Sequence, residues 1–330
     1  MFRIIVLILA LVTLALAAFA QPRSWIREWS NTDFSKTTVD FEEIMSGGPR
    51  KDGIPALSSV EVVHVSEVEF SEREPVVTVE IEGFTPRAYP IRYLTRHEIA
   101  NDEIGGIPLA ITFCPLCNSA LVFDRRLDGM VLEFGVSGKL RNSDMVMFDR
   151  QTDSWWQQFT GEAIVGELAG KKLTQVVSWM ESLGEFRERN PNGEVMAQPR
   201  IYRSYGANPY VGYDGSVRPF LYSGENPPFG IEPLSRVIRV GNRAWPLERL
   251  QEVEELIEAG VRIVWQSGMA SALDTRRIAD AKNIGSIRVY DATTGENVLH
   301  EIVFAFAFDA FAPDGRSEER RVGKECRSRW

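Results

Sequence analysis

The sequence predicts an α+β, β-rich fold of two related strand–helix–strand units, with helices covering one side. Three observations carry this prediction. Short apolar or alternating runs, separated by Gly, Asp and Pro, recur along most of the chain and have the period of strands. Helix-period stretches are few and short. A pattern over about residues 75–190 is echoed over about 237–315, the mark of an internal repeat. The 330 residues are 44% hydrophobic and 25% charged, an ordinary globular composition with room for one large or two medium domains. Eighteen Phe and eight Trp can fill a sizeable core.

The two ends differ from the body. "MFRIIVLILALVTLALAAFA" places Arg3 before an apolar run and ends on Ala18-Phe19-Ala20, a secretory leader with a small-residue cleavage pattern. At roughly 15 residues the run is short for a membrane span. Residues 1–20 are therefore expected to be removed, leaving a periplasmic or extracellular protein without a stable membrane anchor. At the other end, "RSEERRVGKECRSRW" (316–330) has no apolar period. It resembles an in-frame translation of a DNA-sequencing adapter, so the chain is expected to be truncated near Gly315. The leader carries one positive charge and the tail six basic against three acidic residues, so the formal −9 of the whole chain becomes −13 for the body. An acidic body disfavours nucleic acid as a partner. A metal ion or small molecule remains the expected partner.

Along the body, Gln21–Phe41 is polar with scattered aromatics and is expected to pack loosely. Met45–Leu57 is a Gly/Pro-rich turn series. In "PVVTVEIEGF", Val77, Val79 and Ile81 alternate with polar residues, as in a half-buried strand. Ile91–Asp102 has helical spacing and stops at Gly105-Gly106. "IPLAITF" reads as a buried strand. "SALVFDR", "MVLEFGVSG" and "MVMFDR" are further strands, and "VVSWMESLGEFRERNP" a helix ending at Pro191. Residues 198–233 form a long irregular connection. The second unit begins near Val237. There Ala244-Trp245-Pro246-Leu247 answers Ala88-Tyr89-Pro90-Ile91, and "GSIRVYD" answers "NSALVFD". Trp265 and Ser267 fall near the place of the first unit's cysteines, and the second copy ends before any counterpart of "MFDRQTDSWWQQ".

The blocks "RAYPIRYLTRHEIANDEIGGIPLAITFCPLCNSALVFDR" and "FGVSGKLRNSDMVMFDRQTDSWWQQ" closely resemble one exported prokaryotic family, domain of unknown function 3179, over about residues 45–315. The resemblance implies a secreted domain and brings no reaction with it.

Chemistry concentrates in "FCPLCNSALVF". Outside the tail, Cys114 and Cys117 are the sole cysteines, too few for a disulfide scaffold in an exported chain of this size. One Cys-x-x-Cys pair needs further donors to hold a metal. His97 leads into the cysteine-bearing strand, and Met145 and Met147 alternate on a strand and share a face. Thiolate, imidazole and thioether are soft ligands that suit copper, then zinc. The expected metal ligands are Cys114, Cys117, His97 and Met147. The alternatives are a thiol–disulfide redox enzyme, a tight structural disulfide or buried thiols, and, for the His and Met residues, plain core packing. The order His-Glu…Cys-x-x-Cys is similar to zinc deaminases, but Glu98 is adjacent to His97 and Pro115 lies inside the pair, so the match is set aside. A second cluster, Asp149, Arg150, Asp153, Trp156 and Gln158, is either a polar pocket floored by an aromatic or a β-turn with a Trp plugging the core. No phosphate-binding loop, HExxH or GxSxG motif is present. The favoured function is an exported protein binding copper or zinc. Its rivals are the redox enzyme and a non-catalytic binding module using the aromatic stretch 198–245. The sequence leaves open whether the protein is an enzyme.

Overall fold

The computed structural model describes residues 23–202, 205 and 207–317. The leader and residues 318–330 lie outside them. The fold is α+β and β-rich, with five larger sheets and short helices.

The first unit opens with an antiparallel pair, β1 (Pro75–Val79) and β2 (Arg87–Pro90). Every residue of β1 is buried, so the expected half-buried strand is covered on both faces. Val77 and Val79 point into the main core, and Val76 packs with Leu183 and Phe186 on the other side. Helix α1 (Ile91–His97) follows directly and is shorter than its apolar spacing predicts. Glu98 takes a positive φ of 58° and closes it. Ile99, in phase with the helix, instead starts β3 (Ile99–Ile104). β3 turns at Gly105-Gly106 into β4 (Ile107–Cys114), and β5 (Ser119–Asp124) completes the meander. Pairing energy outweighs helical periodicity here because both faces of these strands are buried.

An inserted antiparallel sheet follows: β6 (Phe134–Arg141), β7 (Asp144–Asp149), β8 (Trp155–Gln157) and β9 (Glu162–Val165). Alternation along β7 divides the core. Met145 and Met147 enter the main cluster, while Val146 and Phe148 face a second one. The N-terminal segment covers that second face tightly, against expectation. The rings of Trp25, Trp29 and Phe34 stand 5.1, 5.1 and 5.4 Å from Trp155. Burying Trp29 completely contributes about 3 kcal/mol of transfer free energy, enough to hold a segment with little regular structure. β10 (Thr174–Val176) returns to β5, and β11 (Ser178–Ser182) pairs with β1. The expected helix after Val177 is thus strand first and helix second. α2 (Leu183–Arg189) begins at a Ser182–Glu185 capping box, and β12 (Glu194–Met196) runs parallel to β2.

The C-terminal half contains β13 (Arg236–Val240), β14 (Arg243–Pro246), α3 (Leu247–Val253), β15 (Glu255–Glu258), β16 (Val261–Gln266), β17 (Ser286–Asp291), β18 (Glu301–Phe304), α4 (Ala305–Phe311) and β19 (Arg316–Ser317). Its sheet order β18-β13-β14-β19 parallels β11-β1-β2-β12, and the last strand is parallel in both. The meander β15-β16-β17 corresponds to β3-β4-β5. Glu254 closes α3 with φ 60° as Glu98 closes α1 with φ 58°. By register, Gln266 opposite Ser286 occupies the place of Cys114 opposite Ser119. The first half carries the β6–β9 sheet between β5 and β11, where the second half has only the loop 292–300. One apolar core, including Ile111, Phe123 and Trp156 from one half and Trp245 and Phe304 from the other, runs through both.

Candidate metal centre

Three donors converge where β4 ends and β7 begins. Cys114 is the last residue of β4, Cys117 lies in the turn to β5, and Asp144 is the first residue of β7. One ligand atom from each lies within 4.8 Å of the others, and all three residues are buried. Both thiols are free.

Local conformation explains each position. Asn118 takes φ 52° and reverses the chain after Cys117, a conformation Asn tolerates. The second half of the molecule pins this turn. Phe304 N donates to Cys117 O at 2.9 Å, and Asn118 Nδ2 donates to Ile302 O at 2.9 Å. Asp144 follows a two-residue hairpin turn in which Asn142 and Ser143 both have positive φ, 50° and 62°, the geometry that matches strand twist. Asp144 Oδ2 accepts from Gln157 Nε2 at 2.6 Å and from Phe159 N at 2.9 Å. Its Oδ1 is buried with no N–H or O–H donor, and the groups left to meet the carboxylate are the Cys114 and Cys117 thiols. A buried carboxylate oxygen without a donor is costly, and here it belongs to the group that meets both sulfurs.

The electrostatics point the same way. Burial pushes the Cys114 thiol up, and burial together with Cys114 and Asp144 pushes Cys117 well up. Burial raises Asp144 to about 6, although Gln157 and Phe159 oppose the shift. Burial and the nearby Asp144 raise Glu98 to about 8, against a lowering hydrogen bond from Tyr210. Among the causes of these four shifts no Lys, Arg or His side chain figures. Without a cation the two thiols are held protonated, and losing both protons beside the carboxylate would require one. In a tetrahedral zinc site with bonds of about 2.3 Å to sulfur, donors stand about 3.8 Å apart, so the spacing here suits one ion after small side-chain adjustments. Two thiolates with one carboxylate favour zinc over copper, because the oxygen is a hard donor.

A cavity of about 390 Å³ is lined by chain neighbours of the cluster, though by none of its three donors. Its wall includes Leu116, between the two cysteines, Met145, next to Asp144, and Glu98. The connection 198–233 supplies Tyr210 and Tyr213, and Tyr213 Oη donates to Leu116 O at 3.1 Å. Residue 138 in the opposite wall must be glycine. Its φ is +72°, and a Cβ there would meet Pro49 O at 2.0 Å.

His97 is not part of the cluster. Its Nδ1 bonds Pro55 O at 2.6 Å and its Nε2 bonds Tyr205 Oη at 2.7 Å, so both ring nitrogens are engaged away from the sulfurs, and burial lowers its pKa. Asp144, not the imidazole, stands beside the two sulfurs. Met147 is fully buried opposite Val136 and Trp156 in the main apolar core, while Met145 lines the cavity. The second predicted cluster does not form one pocket. Asp149 accepts from Thr152 N at 2.6 Å and from Trp156 Nε1 at 2.8 Å, which makes a turn with a Trp plug. Arg150 makes a two-pronged bond to Asp52, and Asp153 pairs with Lys51 at 2.7 Å. Gln158 turns to Ser119 and Thr112, at 2.8 and 2.9 Å. The sequence analysis passed over Asp144 and discounted Glu98. The available signal was "RNSD", a two-residue turn that aims the residue after it back at the start of a strand.

A family model described as "Protein of unknown function (DUF3179)" matches residues 51–315. No curated protein and no solved structure matches the chain. The matched span takes in both halves of the fold, the cysteine turn and Asp144, and the chain therefore belongs to the DUF3179 family.

Proposed function

We propose that this is an exported metal-binding protein whose centre is a zinc site formed by Cys114, Cys117 and Asp144. The supporting observation is the three-donor convergence within 4.8 Å, with Asp144 Oδ1 buried and no N–H or O–H donor beside it. Zinc would satisfy that oxygen and offset the charge of two thiolates. Three protein ligands leave one tetrahedral position for water or a substrate atom, the pattern of catalytic rather than structural zinc. When bound, the metal supplies a Lewis acid at that position. The chain's own part is to hold Asp144 through Gln157 and Phe159, to fix the cysteine turn through Phe304 and Asn118, and to keep Glu98 close by as a proton-carrying group.

A thiol–disulfide exchanger fits less well, because it needs an accessible thiol with a lowered pKa and both thiols here are buried with raised pKa. A binding module on the aromatic stretch 198–245 would have the exposed Tyr202 and Phe220 to use, but Tyr205 and Trp245 are buried and Tyr210 lines the cavity, so it fits less well. We further infer that the two halves are copies of one unit, on the grounds of matching sheet order and matching Glu98 and Glu254 backbones. Only the first copy carries the centre, because Gln266 stands in the place of Cys114 and the Asp144-bearing sheet has no counterpart. Export rests on the leader sequence. Among the described residues no helix is long and apolar enough to cross a membrane.

The test is elemental analysis of protein recovered from the periplasm. One zinc per chain is expected in wild type, with loss in Cys114→Ser, Cys117→Ser and Asp144→Asn. Absence of stoichiometric metal in wild type removes the proposal. Mass spectrometry of the same sample checks export, with Gln21 expected as the first residue.

A further inference from the structure

The cavity beside the cluster has a distinct chemical character. Its volume of about 390 Å³ falls in the range of about 300–1,000 Å³ usual for small-molecule sites. Ile54, Val136, Leu140 and Met145 give it apolar walls, and Val211 and Phe220 form an exposed apolar rim. Only two charged side chains reach it. The Lys139 ammonium lies 3.6 Å from Glu28 and faces the Trp25 ring at 5.9 Å, so its charge is taken up by groups outside the cavity. The other is Glu98, hydrogen-bonded by Tyr210, with Asp144 and the thiols close to it. Among the described residues that line the cavity, Lys139 is the one cation and it is paired with Glu28, so none is free to receive an anion. An anionic ligand would lose its hydration beside Glu98 and Asp144 without a counter-charge. A fully apolar one would leave Glu98 and Tyr210 without a polar partner on the cavity side.

We propose that this cavity is the substrate pocket of the metal centre and takes a small organic molecule without negative charge, with an apolar body and one hydroxyl or carbonyl group held by Glu98 and Tyr210. The position of that polar group, facing the cluster, rests on the zinc reading. The binding selectivity does not.

Matched probes test this: benzyl alcohol and benzoate, titrated into full-length zinc-loaded and chelator-treated protein and followed by ligand-observed NMR. Benzyl alcohol is expected to bind both forms at least about tenfold more tightly than benzoate. Leu140→Trp, which fills the cavity, and Val211→Trp, which narrows the exposed rim without touching the core, are each expected to weaken benzyl alcohol at least fivefold. Glu98→Gln is expected to retain benzyl alcohol and reduce the discrimination against benzoate. Benzoate binding as tightly as the alcohol overturns the proposal. So does alcohol binding that neither Trp variant changes, or no alcohol binding at all. Zinc bound without alcohol binding refutes the pocket alone. Alcohol binding by a protein that never takes zinc refutes the metal centre and leaves the pocket's selectivity standing.

Discussion

Replacing Glu98 by Gln isolates the energetic consequence of placing a carboxyl beside the metal cluster. Glu98 is buried, and burial with the charge of Asp144 raises it to about 8 from an ordinary 4.5. Between those two values the unfolded chain has released its proton and the folded protein has kept it. Stability must then fall as pH rises, with a slope of about −1.4 kcal/mol per pH unit. Over the whole interval the loss approaches about 5 kcal/mol. The carboxyl lines a cavity that water enters, so screening reduces the expected loss to about 2–4 kcal/mol. Gln reproduces the neutral acid in shape and does not titrate. Wild type and Glu98→Gln should therefore be about equally stable near pH 5, and the variant should become the more stable as pH approaches 8. Asp144, at about 6, complicates the acid half of this window, so the decisive interval is pH 6 to 8. The assay is urea denaturation of chelator-treated protein at half-unit pH steps. A difference between the two proteins that stays flat within about 0.5 kcal/mol from pH 6 to 8 refutes the reasoning.

Three further outcomes are expected. His97→Ala should leave zinc affinity within about twofold of wild type. It should cost about 2–4 kcal/mol of stability, because a buried ring with two hydrogen bonds is lost and Tyr205 and Pro55 are left unsatisfied; zinc titration beside denaturation separates the two effects. Gln157→Ala should weaken zinc about tenfold or more while leaving all three ligands in place, since it removes the amide N–H donor that holds Asp144 Oδ2, and a competitive chelator titration reads this. In metal-free native protein at pH 8, Cys114 and Cys117 should react with an aromatic disulfide reagent at least about ten times more slowly than in unfolded chain, because burial keeps both thiols protonated. Fast native labelling would instead favour the redox alternative.

How far the sequence reached can be judged element by element. The strand alternation of Met145 and Met147 and the buried run "IPLAITF" were legible because a period of two is written directly in side-chain order. The start of α1 at Ile91 was legible for a similar reason. Its end was not. Ile99 keeps helical phase on paper, and only the pairing of β3 with β4 moves it into a strand. The burial of Trp29 and Phe34 was likewise hidden, because a polar stretch with scattered aromatics gives no period and its partner, Trp155, lies far along the chain.

By itself, the sequence determined the β-rich class, the kinship with one family, the stiffened Cys114–Cys117 pair and the acidic character of the body. All of these are properties of composition or of residues close together in the chain. Tertiary structure alone decided that Asp144 rather than His97 meets the sulfurs, that Glu98 ends buried at the wall of a cavity, and that Asp149 and Trp156 stabilise a turn. Those outcomes depend on where β4 and β7 come together and on which way the chain turns at residues 98 and 143. Convergence of that kind is set by long-range strand register and core packing, which no local pattern of residues records.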